Sequence, residues 1–252
     1  LSEFNLSLGA SFSFHVEAED NDDVSGPNVG KSSPILLRVV SEDELRADLL
    51  RREKEQRQEL ERQLNKQIAL LADGHELLRI SRREPKLTSE QTRLLGKTRK
   101  RQQAVGLALA SVAKRLEDVL IEAANNRLDE SSGALRSRLR NKVIDPLRRL
   151  AEDASPSVVR DLDRTRRLLD DPTPRSQSLA DAVAAQTEID RDLTEILKSM
   201  IKVEDFQMVL TLLHQIQRMQ RDVLDRTQQK KRDEIKSVLE QGSQGDPGSN
   251  SP

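Results

Sequence analysis

The chain has 252 residues, 34% of them charged, with four Phe, no Tyr and no Trp, so its core must be made of Leu, Ile, Val and Ala, as in long helices and coiled coils. Its 42 basic and 43 acidic residues leave a net charge of −1, which excludes a general nucleic-acid or anionic-membrane binder. The absence of cysteine excludes disulfides and thiolate metal sites.

The first 40 residues read as two strands. Phe12, Phe14, Val16 and Ala18 alternate with Ser13, His15 and Glu17, the period-2 pattern of a half-buried strand within 3–18. "EDNDDVSGPNVGKSS", Glu19 to Ser33, is dense in turn formers and reads as a long loop. "PILLRVV", Pro34 to Val40, is the second strand. Two strands alone are marginal in water, so they read as the closing pair of a β-sandwich whose other strands precede Leu1. The chain, which starts without Met, is thus expected to be a piece of a longer protein.

At Ser41 the period changes. "SEDEL" is a capping box in which Ser41 accepts from the backbone of Glu44 and Glu44 reaches back. The first helix is expected over 42–82. Its opening, "RREKEQRQELER", is almost free of apolar residues and is expected to project into solvent. A packing stripe starts at Leu60, Leu64 and Ile68. Pro85 ends it, and Thr88 or Ser89 caps a second helix over 89–126, antiparallel to the first. A third helix over 134–153 carries Leu135, Leu139, Val143, Leu147 and Leu150, kinked or divided at Pro146. Ser155–Pro156 reads as the start of a fourth, over 156–170. A fifth and sixth follow over 178–201 and 204–241, before a disordered tail over 242–252. The predicted fold class is therefore mainly α: extended helical hairpins or coiled coil after the last two strands of a truncated β-sandwich. Its domains are 1–40 and a helical region over 41–240. No segment approaches the roughly 20 apolar residues of a membrane span.

Chemical motifs are few. "GKT" at Gly96–Thr98 lacks the earlier glycine and the preceding strand of a phosphate-binding loop, since position 91 is Gln. His15, His75 and His214 have no second His at helical spacing and read as solvated or interface histidines. No Gly-x-Ser-x-Gly occurs. The acidic turn Glu17–Asp23 raises the question of Ca²⁺ but lacks the spacing of a helix–loop–helix calcium site. No catalytic residue, cofactor or metal is expected. The one candidate site is an apolar stripe for protein association, Phe206, Leu210, Leu213, Ile216 and Met219, whose rival explanation is packing against helices two and five.

The opening segment is similar to the last strands of bacterial immunoglobulin-like or cadherin-like domains, on Val16, Ala18 and Asp20, then Ser33, Leu37 and Val39. The continuation "LRVVSEDELRADLLRREKEQRQELER" resembles the junction in large envelope proteins of planctomycete-type bacteria, where extracytoplasmic sandwich repeats pass into a charged coiled coil. The resemblance covers roughly the first 65 residues. It implies a membrane-anchored protein facing the periplasm, with the anchor upstream of Leu1, and brings no catalytic residues. The expected function is a non-enzymatic envelope scaffold that binds a protein partner or itself through its helices, with no nucleic acid. The alternatives are a cytoplasmic helical adaptor, or an appendage of an enzyme whose active site lies upstream.

Overall fold

The computed structural model describes residues 7–22, 26–128, 137 and 139–242; within 203–242, side chains are described for 216 and 219–232 only. The linker "DESSGA", the beginning of the expected third helix and the tail 243–252 lie outside the described residues. The protein is mainly helical, with a small two-stranded β region ahead of the helices. Residues 1–200 and 201–252 form two compact units.

The β region is one antiparallel hairpin with four strand segments: β1 (Ser11–Phe14), β2 (Glu17–Glu19), β3 (Val29–Lys31) and β4 (Ile35–Arg38). β1 pairs with β4 and β2 with β3. Phe12 lies opposite Leu37 and Phe14 opposite Ile35, which puts aromatic–aliphatic cross-strand pairs on one face. The pairing then slips by one residue. Only His15 and Val16 separate Phe14 from Glu17, whereas three residues, ending in Pro34, separate Lys31 from Ile35. Pro34 has no N–H for a ladder, so it sits in a bulge. Ser32 fills the gap: its N–H donates to Val16 O at 2.9 Å, and its Oγ accepts from Val16 N at 2.9 Å.

The loop is shorter than Glu19–Ser33, because Val29–Lys31 belongs to the ladder. Asp20 closes it, accepting from Asn28 N and Asn28 Nδ2, both at 2.8 Å. These Asn28 bonds hold the Asp20 carboxyl below the usual carboxylate range.

α1 (Glu42–Arg83) is capped by Ser41 Oγ, which accepts from Glu44 N at 3.1 Å. The reciprocal half of the expected box is replaced by an ion pair from Glu44 back to Arg38 of β4 (3.2 Å). Pro85 forces Glu84 into extended geometry and ends the helix. α2 (Ser89–Asn125) has the complete box: Gln91 N donates to Thr88 Oγ1 and Thr88 N donates to Gln91 Oε1.

α3 corrects two expectations. Ser155–Pro156 starts no helix, and Pro146 divides none. The helix is continuous from Arg140 to Arg167 as π-helical Arg140–Ile144, α-helical Asp145–Arg149, π-helical Leu150–Ala154 and α-helical Ser155–Arg167. A proline lacks the N–H for its i−4 bond and its ring crowds that carbonyl. Here the turn before each proline widens, so that Asp145 N donates to Arg140 O and Ser155 N to Leu150 O, each five residues back. The widening makes the missing bond cheap. Replacing Pro156 with Ala is expected to change stability by less than about 1 kcal/mol in urea unfolding, against the roughly 3 kcal/mol of a proline in a regular helix. A gain near 3 would contradict this account.

α4 (Pro172–Gly242) is a single helix where two, over 178–201 and 204–241, are expected. It starts early because Pro172 and Pro174 occupy the first turn, where N–H groups have no helical partner anyway. It does not break at Lys202–Val203 because nothing there opposes helix.

In the unit 1–200, α1, α2, α3 and the α4 residues up to Met200 share one hydrophobic core. Cross-links show that neighbouring helices run antiparallel. Arg52 pairs with Glu122 and Arg101 with Asp73; Arg99 pairs with Asp163, while Arg140 and Arg148 both reach Glu117. Ser81 meets Ser176 and Gln67 meets Gln186. The result is an up-down-up-down four-helix bundle. Its buried positions recur three and four apart. In α2 they are Leu95, Thr98, Gln102, Val105, Leu109, Val112, Leu116 and Val119. In α4 they are Arg175, Leu179, Ala182, Gln186, Ile189, Leu193, Ile196 and Met200. In α1 the same series includes Glu53, Gln56, Leu60, Gln63 and Gln67. The opening of α1 therefore packs in the seam instead of projecting into solvent.

One carboxylate in the bundle is unfavourably placed. Burial and the facing charge of Asp181 raise the pKa of Asp161, while Arg164 and Arg160 lower it less. A carboxyl whose folded pKa lies above its unfolded value binds more protons in the native state. Its ionisation thus costs stability as pH rises from the unfolded value of 3.8 through the folded one. Asp161→Asn is expected to stabilise the protein at pH 7 by no more than about 1 kcal/mol for this partly exposed group, read as a higher melting temperature. The gain should shrink toward pH 4; a loss at pH 7 would refute the assignment.

Candidate functional site

Polar side chains occupy several of the buried positions inside the bundle. One residue from each helix meets at a common level: Gln67 of α1, Gln102 of α2, Ser155 of α3 and Gln186 of α4, all buried. Gln102 Nε2 donates to Gln67 Oε1 at 3.0 Å and to Ser155 Oγ at 3.4 Å. Ser155 Oγ donates to the Gln102 carbonyl (3.1 Å), Gln186 Nε2 to Gln102 Oε1 (3.0 Å), and Gln67 Nε2 to the Gln186 carbonyl (3.4 Å). Gln186 Oε1 is buried with no hydrogen-bond partner. Two glycines make room. A Cβ on Gly74 would lie 2.5 Å from Gln186 Oε1, and one on Gly106 would lie 2.7 Å from Ser155 Oγ.

A second polar centre lies at the bundle end that joins α1 to α2 and α3 to α4. Arg175 is completely buried. Its Nε donates to Ser81 Oγ (2.9 Å), its Nη1 to the carbonyls of Leu169 (2.7 Å) and Pro85 (3.2 Å), and its Nη2 to those of Glu84 (2.7 Å) and Ser81 (3.2 Å). The guanidinium thus caps the carboxyl ends of α1 and α3, where the helix dipoles favour a cation and carbonyls lack partners. Beside it, Ser81, Arg82, Pro172, Thr173, Ser176, Gln177 and Ala180 line an open hollow of about 320 Å³. The Ser81 and Ser176 hydroxyls there are already bonded to each other (2.8 Å).

Apart from Gln186 Oε1, both centres spend their donors and acceptors on the bundle itself. The glutamines and Ser155 fix which level of each helix meets which, and Arg175 ties the ends. The other sequence motifs are equally occupied. Thr98 of "GKT" is buried in mid-helix, its hydroxyl donating to Leu94 O at 3.0 Å. His15 Nε2 lies 2.7 Å from Glu17 Oε1, which also holds Lys31 at 2.6 Å. Lys31 first, then His15, lower the pKa of Glu17. His75 is exposed on α1, and the His214 side chain lies outside the described residues. Among the described residues no group of three His, Cys, Asp or Glu can hold a metal ion, and none of the helices is long and apolar enough to cross a membrane.

Among the described residues, apolar side chains are exposed one at a time on the bundle, at Ile68, Leu107 and Ile121, and in groups in two places. On the hairpin, Phe14, Ile35 and Leu36 are exposed, Leu36 to 73%. On the part of α4 within 201–242, Ile216 is 46% exposed, Met219 53%, Val223 63% and Leu224 56%. Of the expected association stripe, Ile216 and Met219 are thus exposed. Phe206, Leu210 and Leu213 lie on the same helix, and their side chains are outside the described residues. Val223 and Leu224 extend the stripe and were missed because "RDVLDRT" reads as polar.

No family model, curated protein or solved structure matches this chain.

Proposed function

We propose that this protein is a non-enzymatic scaffold that associates with protein through the α4 helix beyond Met200, by coiled-coil or helix-in-groove contact. The observation that carries the reading is the exposure of Ile216, Met219, Val223 and Leu224 on one helix, while Gln67, Gln102, Ser155 and Arg175 of the bundle are bonded within it. Four such side chains leave a larger apolar surface than scattered single residues would. The hairpin is the edge of a β-sandwich completed by further strands, which its exposed Phe14, Ile35 and Leu36 support. On the resemblance of its opening residues, the protein works in the cell envelope on the extracytoplasmic side, anchored to the membrane by a segment outside this chain.

The test is site-specific photocrosslinking in cells that make the protein. A photoreactive residue in place of Val223 is expected to give a discrete protein adduct, and one in place of exposed Arg115 on the bundle is not. Equal labelling at both positions, or none at Val223, would sink the proposal.

A further inference from the structure

We infer that the partner of this helix is a second copy of the same chain, lying antiparallel. The inference rests on the association reading above and names its partner. In the bundle the three-and-four series of α4 runs to Met200 and would continue at Val203 and Gln207. The series beyond is a different one: Phe206, Val209, Leu213, Ile216, Gln220, Val223, Thr227 and Lys230. Described members Ile216 and Val223 are exposed.

That series is symmetric about Arg218. Laid antiparallel on its own copy, Leu213 meets Val223, Ile216 meets Gln220, Val209 meets Thr227, and Phe206 meets Lys230, so every position of the series faces another one. This is how core positions pair in an antiparallel two-helix seam. Leu210 then flanks Leu224, and Met219 flanks its own copy.

Charge decides the direction. Residues 226–236 carry a net charge of +3 and residues 201–210 a net charge of −1. A parallel pair sets Lys230 on its own copy in the seam and brings Arg226 beside Lys231. The antiparallel pair lays the basic run along Glu204 and Asp205 instead, and its like-charge approach, Asp205 to Asp233, has Lys230 between. Like charges at such flanking positions select against a pairing.

The chain has no cysteine, so single cysteines report the pairing directly. Full-length Val209→Cys and Thr227→Cys proteins, mixed under mild oxidation, are expected to form the mixed disulfide, with little product from either alone. Sedimentation equilibrium should show a dimer whose dissociation constant rises at least 100-fold in Val223→Asp, with the bundle's thermal transition unchanged. Homodisulfides from either variant would mean a parallel pair, and a monomer at tens of micromolar would mean no self-pairing; both overturn the inference. A monomer that still gives a photoadduct of another mass at Val223 would leave the association reading standing.

Discussion

Arg175→Ala is expected to destabilise the bundle by roughly 3–5 kcal/mol, the largest effect of any single substitution considered. The guanidinium is buried and its five donor contacts reach one hydroxyl and four carbonyls from two chain connections. Removing it strands the carbonyls of Leu169, Pro85 and Glu84, each at about 1–3 kcal/mol, and leaves a cavity as well, while Ser81 O keeps the Ser176 hydroxyl. Burial of an unpaired cation is ordinarily costly, but here the ends of two helices supply the compensating negative potential. Arg175→Lys should recover only part of the loss, because one ammonium cannot span the carbonyls that the planar fork reaches together. Thermal and urea unfolding of the three proteins decides the matter. An alanine variant within about 1 kcal/mol of the parent would show that the fork is dispensable.

The second large effect belongs to the glutamine level. Gln102→Leu removes the donor to Gln67 Oε1 and the acceptor of Gln186 Nε2, stranding two buried groups at a cost of about 3 kcal/mol. Replacing Gln67, Gln102 and Gln186 together with Leu strands nothing, and should return stability to the parent's level or above it. The two results together test whether the level is a network, since independent residues would give additive losses. What the triple variant should lose is uniqueness. With every level of the seam apolar, helices can slide by one turn at small cost, and side-chain NMR resonances should broaden or multiply.

How much of this was legible beforehand follows the physics of each signal. Ser41, Pro85 and Thr88 act through atoms within four residues, so the boundaries of α1 and α2 were readable. Ser155–Pro156 has the letters of a helix start, yet the widened turn before it lets the helix continue, which composition does not encode. Pro172 and Pro174 read as loop although a helix tolerates both in its first turn. The opening of α1 read as solvated because its seam positions are Glu53, Gln56 and Gln63. Amides there are buried by their neighbours, and only the unbroken three-and-four spacing betrays them. Arg175 carried little local signal, because four of its five contacts, to Ser81, Glu84 and Pro85, reach about 90 residues back along the chain. The exposed α4 stripe was found at Ile216 and Met219 by periodicity, and its extension to Val223 and Leu224 was hidden by the charges around it.

The π turn at Leu150–Ala154 bears on how such a bundle can change over evolutionary time. Between Leu150 and Ser155 the buried positions step by five, where three or four is the rule elsewhere. One residue has in effect been absorbed inside a helix, with the seam resuming in phase at Val158. A relative one residue shorter at this point, and lacking Pro156, would have a regular helix and the same core. α3 is thus where this architecture tolerates a length change, whereas an added residue amid the unbroken spacing of α2 would rotate half a helix out of register.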